Sequence, residues 1–358
     1  MTKQPIMIMA GGTGGHVYPA LAVAEELKTR GVPVIWMGTH KGIEARLVPA
    51  ANIQIEWLGI SGLRGKGIMT LLLAPLKLIH ACYQAWKILR KTKPCAVLGM
   101  GGFVAGPGGL MARLMGKPLL IHEQNAKPGL TNRLLAKIAT QLMQAFPHSF
   151  KQKSAHVGNP VRREISSLAS PEQRFKNRDG VLRLFVFGGS LGAAHLNRVV
   201  PEALAKLSAE KKFIVRHQSG EKNHQQTQLN YANAHVTAKT MPYIDDMAAA
   251  YAWADVVLCR AGAMTIAELA AVGVASILVP YPFAVDDHQT ANARYLSDNE
   301  AAILIPQEKL DADYLVKILT DLNREKLLSM ANKARQLGMP ESTRIVAEHC
   351  CLAGGITC

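Results

Sequence analysis

Short, wholly apolar runs alternate along this chain with longer stretches in which apolar positions recur every three or four residues. Continuous apolar runs of about five residues suit strands buried on both faces, and the longer period suits amphipathic helices between them. In the first half the pattern predicts strands at 6–10, 33–37, 95–99, 118–122 and 141–145. In the second half it predicts strands at 182–187, 213–217, 255–259 and 275–279, and helices at 196–209, 263–272 and 288–297. Two helical stretches, 311–335 and 342–352, close the chain. Strand–helix alternation of this kind belongs to an α/β protein with parallel sheets and crossover helices. The segment 158–163, Gly-Asn-Pro-Val-Arg-Arg, breaks the rhythm and polar sequence follows to Gly180, so a domain boundary is expected there. A length of 358 residues agrees with two domains.

One device occurs twice. Residues 6–10 run into Gly-Gly-Thr-Gly-Gly-His at 11–16 and then an amphipathic stretch at 19–27; residues 182–187 run into Gly-Gly-Ser-Leu-Gly-Ala at 188–193 and then another at 196–207. Glycines let a turn bring several N–H groups near an anion, and the helix that follows adds its positive end. Two such loops predict two Rossmann-like, doubly wound domains facing a cleft, each loop a candidate phosphate cradle. A dinucleotide site needs G-x-G-x-x-G and an acid some 20 residues on. Here Val17 falls where the third glycine belongs, and the second strand ends at His40 without Asp or Glu. No G-x-x-x-x-G-K-[ST] occurs, which excludes an ATP P-loop. Tight structural turns would use the same glycines, but a nucleotide-sugar or similar phosphorylated donor fits the pair of loops better.

Composition changes this picture in one respect. Hydrophobic residues at 49% and charged residues at 19% suit a globular protein with an ample core. The six cysteines (82, 95, 259, 350, 351, 358) form no C-x-x-C pair and read as core fillers and tail residues of a reducing compartment. The short N-terminal apolar run reads as a strand, not a leader, and no uninterrupted apolar run approaches 18 residues. The net charge of +15, however, is one-sided: residues 1–160 carry 19 Lys and Arg against 5 Asp and Glu, whereas the remainder is nearly balanced. Such a field attracts polyanions. Nucleic acid is not the expected partner, because no recognition helix or aromatic platform accompanies the charge; an anionic membrane surface is. Residues 68–91 interleave Leu, Ile and Trp with Lys and Arg. An interfacial helix has that composition, and so does a crossover helix with one buried face. The second reading is preferred for 79–90, and lipid contact is left open for 68–76.

Several polar motifs follow strands. Residues 99–109 form a third glycine-rich segment, read as a loop and as an acceptor anion site in the basic half. His-Glu-Gln-Asn at 122–125 stands where open α/β sheets bind ligands, at a strand's carboxyl end. Asn-Pro-Val-Arg at 159–162 puts an arginine at the hinge, for a diphosphate or for a surface ion pair. Cys-Arg-Ala-Gly at 259–262 opens the helix that carries Glu268, a carboxylate placed for a ribose diol or for ordinary dipole matching. Asp286 or Asp287 is expected to cap the helix that follows, leaving His288 and Gln289 to reach a sugar; Asp245 and Asp246 are expected caps as well.

Taken together, GGTGGH, ISGLRGKG (60–67), GMGGFVAGPGG, HEQN, GNPVR, GGSLGA, IDDMAAAYAWADVV (244–257), CRAGAMTIAE and DHQTANA resemble the MurG family of bacterial UDP-N-acetylglucosamine:lipid I glycosyltransferases. The motifs run in family order over nearly the whole chain. The resemblance implies the GT-B fold, with an acceptor- and membrane-facing domain at 1–162 joined by a closing helix at 341–358, and a UDP-GlcNAc domain at 163–340. It implies donor contacts at Thr13, Gly14, Gly15, Asn125, Arg162, Ser190, Ile244, Ala263, Met264, Thr265, Ile266, Ala267, Glu268 and Gln289, with Ile244 at the uracil, Glu268 at the ribose and Ser190 near the diphosphate. Acceptor contacts are expected at Gly101, Gly102, Phe103 and Gly106; Phe103 stands where family members often carry tyrosine. The implied partners are UDP-GlcNAc, undecaprenyl-pyrophosphoryl-MurNAc-pentapeptide (lipid I), the cytoplasmic face of the inner membrane and other cell-wall synthesis proteins. No cofactor and no metal are expected, in keeping with the absence of an Asp-x-Asp motif suited to a metal–diphosphate bridge.

Inverting transfer requires a base for the acceptor hydroxyl and positive potential for the departing diphosphate. His16 is the first candidate base and Glu123 the second; a structural histidine tying the loop to its helix is the alternative role for His16. Competing readings are a diacylglycerol glycosyltransferase, a UDP-GlcNAc 2-epimerase, or a scaffold that binds UDP-sugars without turnover.

Overall fold

The computed structural model describes residues 4–60, 73–189, 191–208 and 211–357. The chain divides into two compact units, Met1–Arg162 with Pro340–Cys358, and Arg163–Met339.

The first unit is built on a parallel seven-stranded sheet. Its strands are β1 (Ile6–Ala10), β2 (Val34–Gly38), β3 (Gln54–Trp57), β4 (Ala96–Gly101), β5 (Leu119–Glu123), β6 (Gln141–Gln144) and β7 (Ala155–His156), in the order β3-β2-β1-β4-β5-β6-β7. The direction of winding reverses between β1 and β4, which pair in parallel from Ile6↔Ala96 onward. Alternation along the strands serves two cores. Ile6, Ile8, Ala10, Ala96 and Leu98 face helices Gly14–Thr29 and Ser342–Ala353, while Met7, Met9, Val97, Leu119 and Ile121 face helices Ala74–Thr92 and Ala105–Leu114. Because both faces are covered, β1, β4 and the first three residues of β5 carry no charged or polar side chain, and this is why they were legible as continuous runs.

The second unit repeats the plan with β8 (Leu182–Phe187), β9 (Phe213–Gln218), β10 (Lys239–Met241), β11 (Val256–Cys259), β12 (Ala275–Leu278) and β13 (Ala302–Leu304), in the order β10-β9-β8-β11-β12-β13. Here winding reverses between β8 and β11. Open sheets of this type hold ligands at that reversal, beyond the carboxyl ends of the strands.

The four strands absent from the sequence reading, β3, β7, β10 and β13, are the four sheet edges. Each spans two to four residues and has partly exposed positions, so none carries a wholly apolar run. Two further boundaries move. The stretch expected as one helix at 311–335 is two, Ala312–Thr320 and Arg324–Leu337, each opened by a side-chain cap: Asp311 accepts from Tyr314 N at 2.8 Å and Asn323 from Lys326 N at 2.8 Å. The glycine-rich segment 99–109 is not one loop, because β4 runs to Gly101 and a helix begins at Ala105. Gly108 lies in that helix because it packs onto β1: a Cβ there would stand 2.3 Å from Met9 Sδ and 3.0 Å from Met37 Sδ.

The cysteines only partly follow expectation. Cys82, Cys95, Cys259 and Cys350 are free thiols, and burial pushes that of Cys350 up to about 12, but Cys351 is disulfide-bonded.

Candidate active site

In the first unit, the loops that leave β1 and β4 meet at the reversal point. Gly102 has φ +84°, and a Cβ on it would lie 2.3 Å from Gly11 O. Gly101 has φ +104°, and a Cβ there would come within 2.7 Å of His16 Nδ1. Only glycine allows both the left-handed backbone and this approach, so the imidazole of His16 lies directly against the end of β4. His16 belongs to the first turn of helix Gly14–Thr29, which starts five residues before the predicted amphipathic stretch at 19–27. Its Nδ1 is 2.9 Å from Gln124 Oε1.

The first glycine loop is not an empty anion cradle. The buried carboxylate of Glu44 accepts from Gly12 N at 2.9 Å, and from Thr39 N and Oγ1 at 3.1 and 2.7 Å. A side chain of the protein therefore takes the Gly12 N–H that the sequence reading offered to a phosphate, and it adds a negative charge beside it. Thr13, Gly14 and Gly15 follow, with Thr13 and Gly15 exposed and Gly14 half-buried.

Beyond β5, the His-Glu-Gln-Asn segment is a hydrogen-bonded block. Glu123, the second candidate base, is 1% exposed and both its oxygens are engaged. Oε1 accepts from Asn125 N at 2.9 Å and Asn125 Nδ2 at 3.2 Å; Oε2 accepts from Asn132 Nδ2 at 2.9 Å and Gly129 N at 3.2 Å. These bonds fix the loop from 123 to 129, and they give Glu123 the setting of a structural anchor. Asn125 is turned toward Glu123 by the same contacts. His122 is wholly buried, its Nε2 lies 2.9 Å from Gly158 O, and burial holds its pKa down at about 4.

Among the expected acceptor residues, Gly101 and Gly102 line the turn beside His16, and Phe103 beside them is 51% exposed. Gly106 does not join them. It lies within helix Ala105–Leu114, and a Cβ on it would meet Thr131 Cγ2 at 3.6 Å, so it faces helix Leu130–Leu135. Arg162 is half-buried at the end of the first unit, next to Val161, whose carbonyl accepts from Thr343 Oγ1 at 3.0 Å.

In the second unit, the loops leaving β8 and β11 occupy the equivalent reversal. Ser190 lies outside the described residues. Gln218, the last residue of β9, ties this region together: its Nε2 donates to Gly189 O at 2.9 Å and its Oε1 accepts from Ile244 N at 3.2 Å. Helix Ala263–Val272 opens at Gly262 with no side-chain cap. The segment 263–268 does not act as one block. Met264, Thr265, Ala267 and Glu268 are half-buried, whereas Ile266 is 0% exposed and Ala263 is buried, so the side chains of these two belong to the core. Tyr251 Oη donates to Glu268 Oε2 at 2.9 Å and orients the carboxylate. Gln289 is not free to extend, since its Oε1 accepts from Tyr281 N at 2.9 Å. His288 likewise donates from Nδ1 to Val285 O at 2.7 Å. The neighbouring loop is braced by Arg260, which donates to Val279 O and Pro280 O, both at 3.1 Å. Of the expected caps, Asp246 accepts from Ala249 N at 2.8 Å; the Asp287 side chain accepts instead from Thr290 Oγ1 at 2.6 Å and caps no backbone N–H.

Glu44, Gln218 and Tyr251 were missed by sequence reasoning. Gln218 carried a usable signal, a polar residue ending an apolar strand. Glu44 resembled an ordinary acid in a helix's first turn, and only the folded chain brings it 32 residues back to Gly12.

Two successive Rossmann-type sheets, with glycine loops at both reversal points, define a two-domain, doubly wound α/β protein with a ligand-binding position at each sheet reversal. The profile of the glycosyltransferase family 28 N-terminal domain matches residues 6–144, and that of the family's C-terminal domain matches 183–345. A UDP-N-acetylglucosamine--N-acetylmuramyl-(pentapeptide) pyrophosphoryl-undecaprenol N-acetylglucosamine transferase from Cupriavidus pinatubonensis is 52% identical over 351 residues, covering 98% of each chain. A protein of the same description from Nitrosomonas europaea is 52% identical over 354 residues, 98% of this chain and 99% of the relative. The crystal structure of Acinetobacter baumannii MurG superposes with a TM-score of 0.87 at 43% identity, covering 97% of this chain and 99% of that one. The chain belongs to glycosyltransferase family 28 and, within it, to the MurG family. Its fold is GT-B. A UDP-GlcNAc 2-epimerase from Neisseria meningitidis, at TM-score 0.66 and 13% identity, shares that fold alone.

Proposed function

We propose that the protein transfers GlcNAc from UDP-GlcNAc to the C4 hydroxyl of MurNAc in lipid I, with inversion at the anomeric carbon, and so forms lipid II. The kinship over nearly the full length of both chains carries this reading. Inversion is a single displacement: the hydroxyl oxygen attacks as the bond to UDP breaks. His16 takes the hydroxyl proton. Its ring is half-buried at the reversal point of the first unit, beside Gly101, Gly102 and the exposed Phe103, which are the proposed acceptor contacts. Gly106 is a weaker member of that set because it faces a neighbouring helix.

The donor is assigned chiefly to the second unit. Glu268, held by Tyr251, accepts from the ribose hydroxyls, and residue 244 meets the uracil. The start of helix Ala263–Val272, the backbone N–H groups of the 188–193 loop and Arg162 are assigned to stabilise the leaving diphosphate by positive potential, with Ser190 in the same region. Thr13, Gly14, Gly15, Asn125 and Gln289 complete the proposed donor contacts, and Met264, Thr265 and Ala267 offer the accessible side of the helix.

Membrane attachment is proposed to be peripheral, at the cytoplasmic face of the inner membrane. Among the described residues, no helix is long and apolar enough to cross a membrane. Leu73, Leu76, Leu78, Ile79 and Tyr83 are exposed at and near the start of helix Ala74–Thr92, alongside Lys77 and Lys87. Exposure of Ile79 and Tyr83 extends the lipid-facing candidate into a segment expected to be a plain crossover helix, whose buried side is Ala81, Ala85, Ile88 and Leu89. Residues 68–72, the rest of that patch, lie outside the described residues.

The deciding assay is UDP release from UDP-GlcNAc in EDTA, with and without a lipid I analogue. Release that depends on the acceptor is expected. Release without acceptor, or none with it, would return the epimerase and scaffold readings to first place.

A further inference from the structure

Three hydrogen bonds run in series from the hinge segment to His16, and their polarity is set from one end. Gly158 O can only accept, so the His122 Nε2 that lies 2.9 Å from it carries a proton. His122 is wholly buried, and burial keeps it neutral, with a pKa of about 4. A neutral imidazole with its proton on Nε2 has a bare lone pair on Nδ1. Gln124 Nε2 lies 3.1 Å from that Nδ1 and 3.1 Å from His122 O, two acceptors that call for the two hydrogens of one amide nitrogen. The amide is thereby oriented, and its Oε1 faces His16 Nδ1 at 2.9 Å. An amide oxygen only accepts, so His16 Nδ1 carries the proton and the lone pair is on Nε2. The block is itself anchored: Asn159 Nδ2 donates to Gln124 O at 3.0 Å, and Gln124 is 1% exposed.

We infer that Gln124 is a positioning residue that reads the fixed tautomer of buried His122 and imposes the opposite tautomer on His16, leaving His16 Nε2 as the proton acceptor. This deepens the assignment of His16 as base and rests on it for its catalytic meaning. The choice of an amide has a consequence. When His16 Nε2 takes the hydroxyl proton, the Nδ1–H bond to Gln124 Oε1 persists and needs no rearrangement. A carboxylate in that place would favour the imidazolium before reaction and leave the base already protonated near neutral pH.

The test is direct observation of the tautomers by 15N NMR of histidine-labelled protein, with the His16 signal assigned by its loss in His16→Ala. In the unsubstituted protein, His16 is expected as the Nδ1–H form and His122 as the Nε2–H form. Gln124→Met removes the polar link at similar volume; His16 should then populate the Nε2–H form, kcat should fall about tenfold or more, and KM for UDP-GlcNAc should stay within about twofold. An Nε2–H form for His16 in the unsubstituted protein, or no change of its tautomer in Gln124→Met, overturns the inference. If the tautomers are as assigned while His16→Ala retains its kcat, the relay stands and the base assignment falls.

Discussion

His16 and Glu123 both sit near the reversal point of the first sheet, yet their surroundings separate their chemistry. His16 offers one ring nitrogen to a single internal partner, whereas Glu123 accepts four hydrogen bonds from the loop it closes and the helix that follows. His16→Ala should therefore lower kcat at least a hundredfold with little change in UDP-GlcNAc affinity, checked by steady-state kinetics beside calorimetric titration. Weakened UDP-GlcNAc binding without a kcat defect would point to a structural histidine. Glu123→Gln should instead cost about 1–3 kcal/mol of stability, because an amide group would turn a donor toward Gly129 N or Asn132 Nδ2, which are donors themselves. The urea midpoint reports this. A variant of normal stability that has lost only kcat would reinstate Glu123 as a base.

At the scale of elements, glycines that look alike in the sequence do different work. Gly106 and Gly108 both lie within helix Ala105–Leu114, but only Gly108 is pressed against the sheet. Gly108→Ala is expected to destabilise by about 1–3 kcal/mol through overpacking against Met9 and Met37, more than the helix propensity it gains. Gly106→Ala meets only an ordinary contact with Thr131 and should be neutral or slightly stabilising. Equal effects of the two substitutions in urea titrations would refute this packing account. Sequence pattern handled the elements unevenly for a physical reason. Central strands covered on both faces announce themselves as apolar runs, while the edges β3, β7, β10 and β13, half in water and a few residues long, carry no such run. Helix Ala263–Val272 was located correctly, but which of its residues face outward was not separable from a nearly all-apolar stretch.

For the whole molecule, two buried histidines couple folding to pH. Burial holds His122 at about 4 and His217 at about 3; His217 is hydrogen-bonded to Tyr231 Oη at 2.9 Å and Asn197 Oδ1 at 3.0 Å. Both values lie below that of an unfolded histidine, about 6.5. Between the folded and unfolded pKa values the unfolded chain binds the extra proton, so stability is fully present above about 6.5 and is lost as pH falls through 4 toward 3. The full loss is about 3 kcal/mol for His122 and about 5 kcal/mol for His217, and calorimetric melting should show Tm falling steadily from pH 6.5 to 4. A flat Tm across that window would contradict the burial of these rings. The exposed apolar start of helix Ala74–Thr92 also acts at this scale, together with the basic excess of residues 1–160. Leu76→Glu with Ile79→Glu should abolish co-sedimentation with anionic vesicles and leave the Tm nearly unchanged, since both side chains are exposed; undiminished binding would remove this helix from the membrane surface.

The sequence by itself determined the two-domain α/β plan, the positions of the central strands, the glycine loops at the two reversal points and the family. Each of these follows from local runs, periodicity or motifs that survive without knowledge of what packs where. Only the tertiary structure decided how the polar residues divide their work. It brought Glu44 onto Gly12, enclosed Glu123 in its own loop, drew Ile266 into the core, and joined Gly158, His122, Gln124 and His16 in one line. Hydrogen-bond partners 32, 36 and 108 residues apart leave no periodic trace in a sequence, because nothing but the fold sets the distance between them.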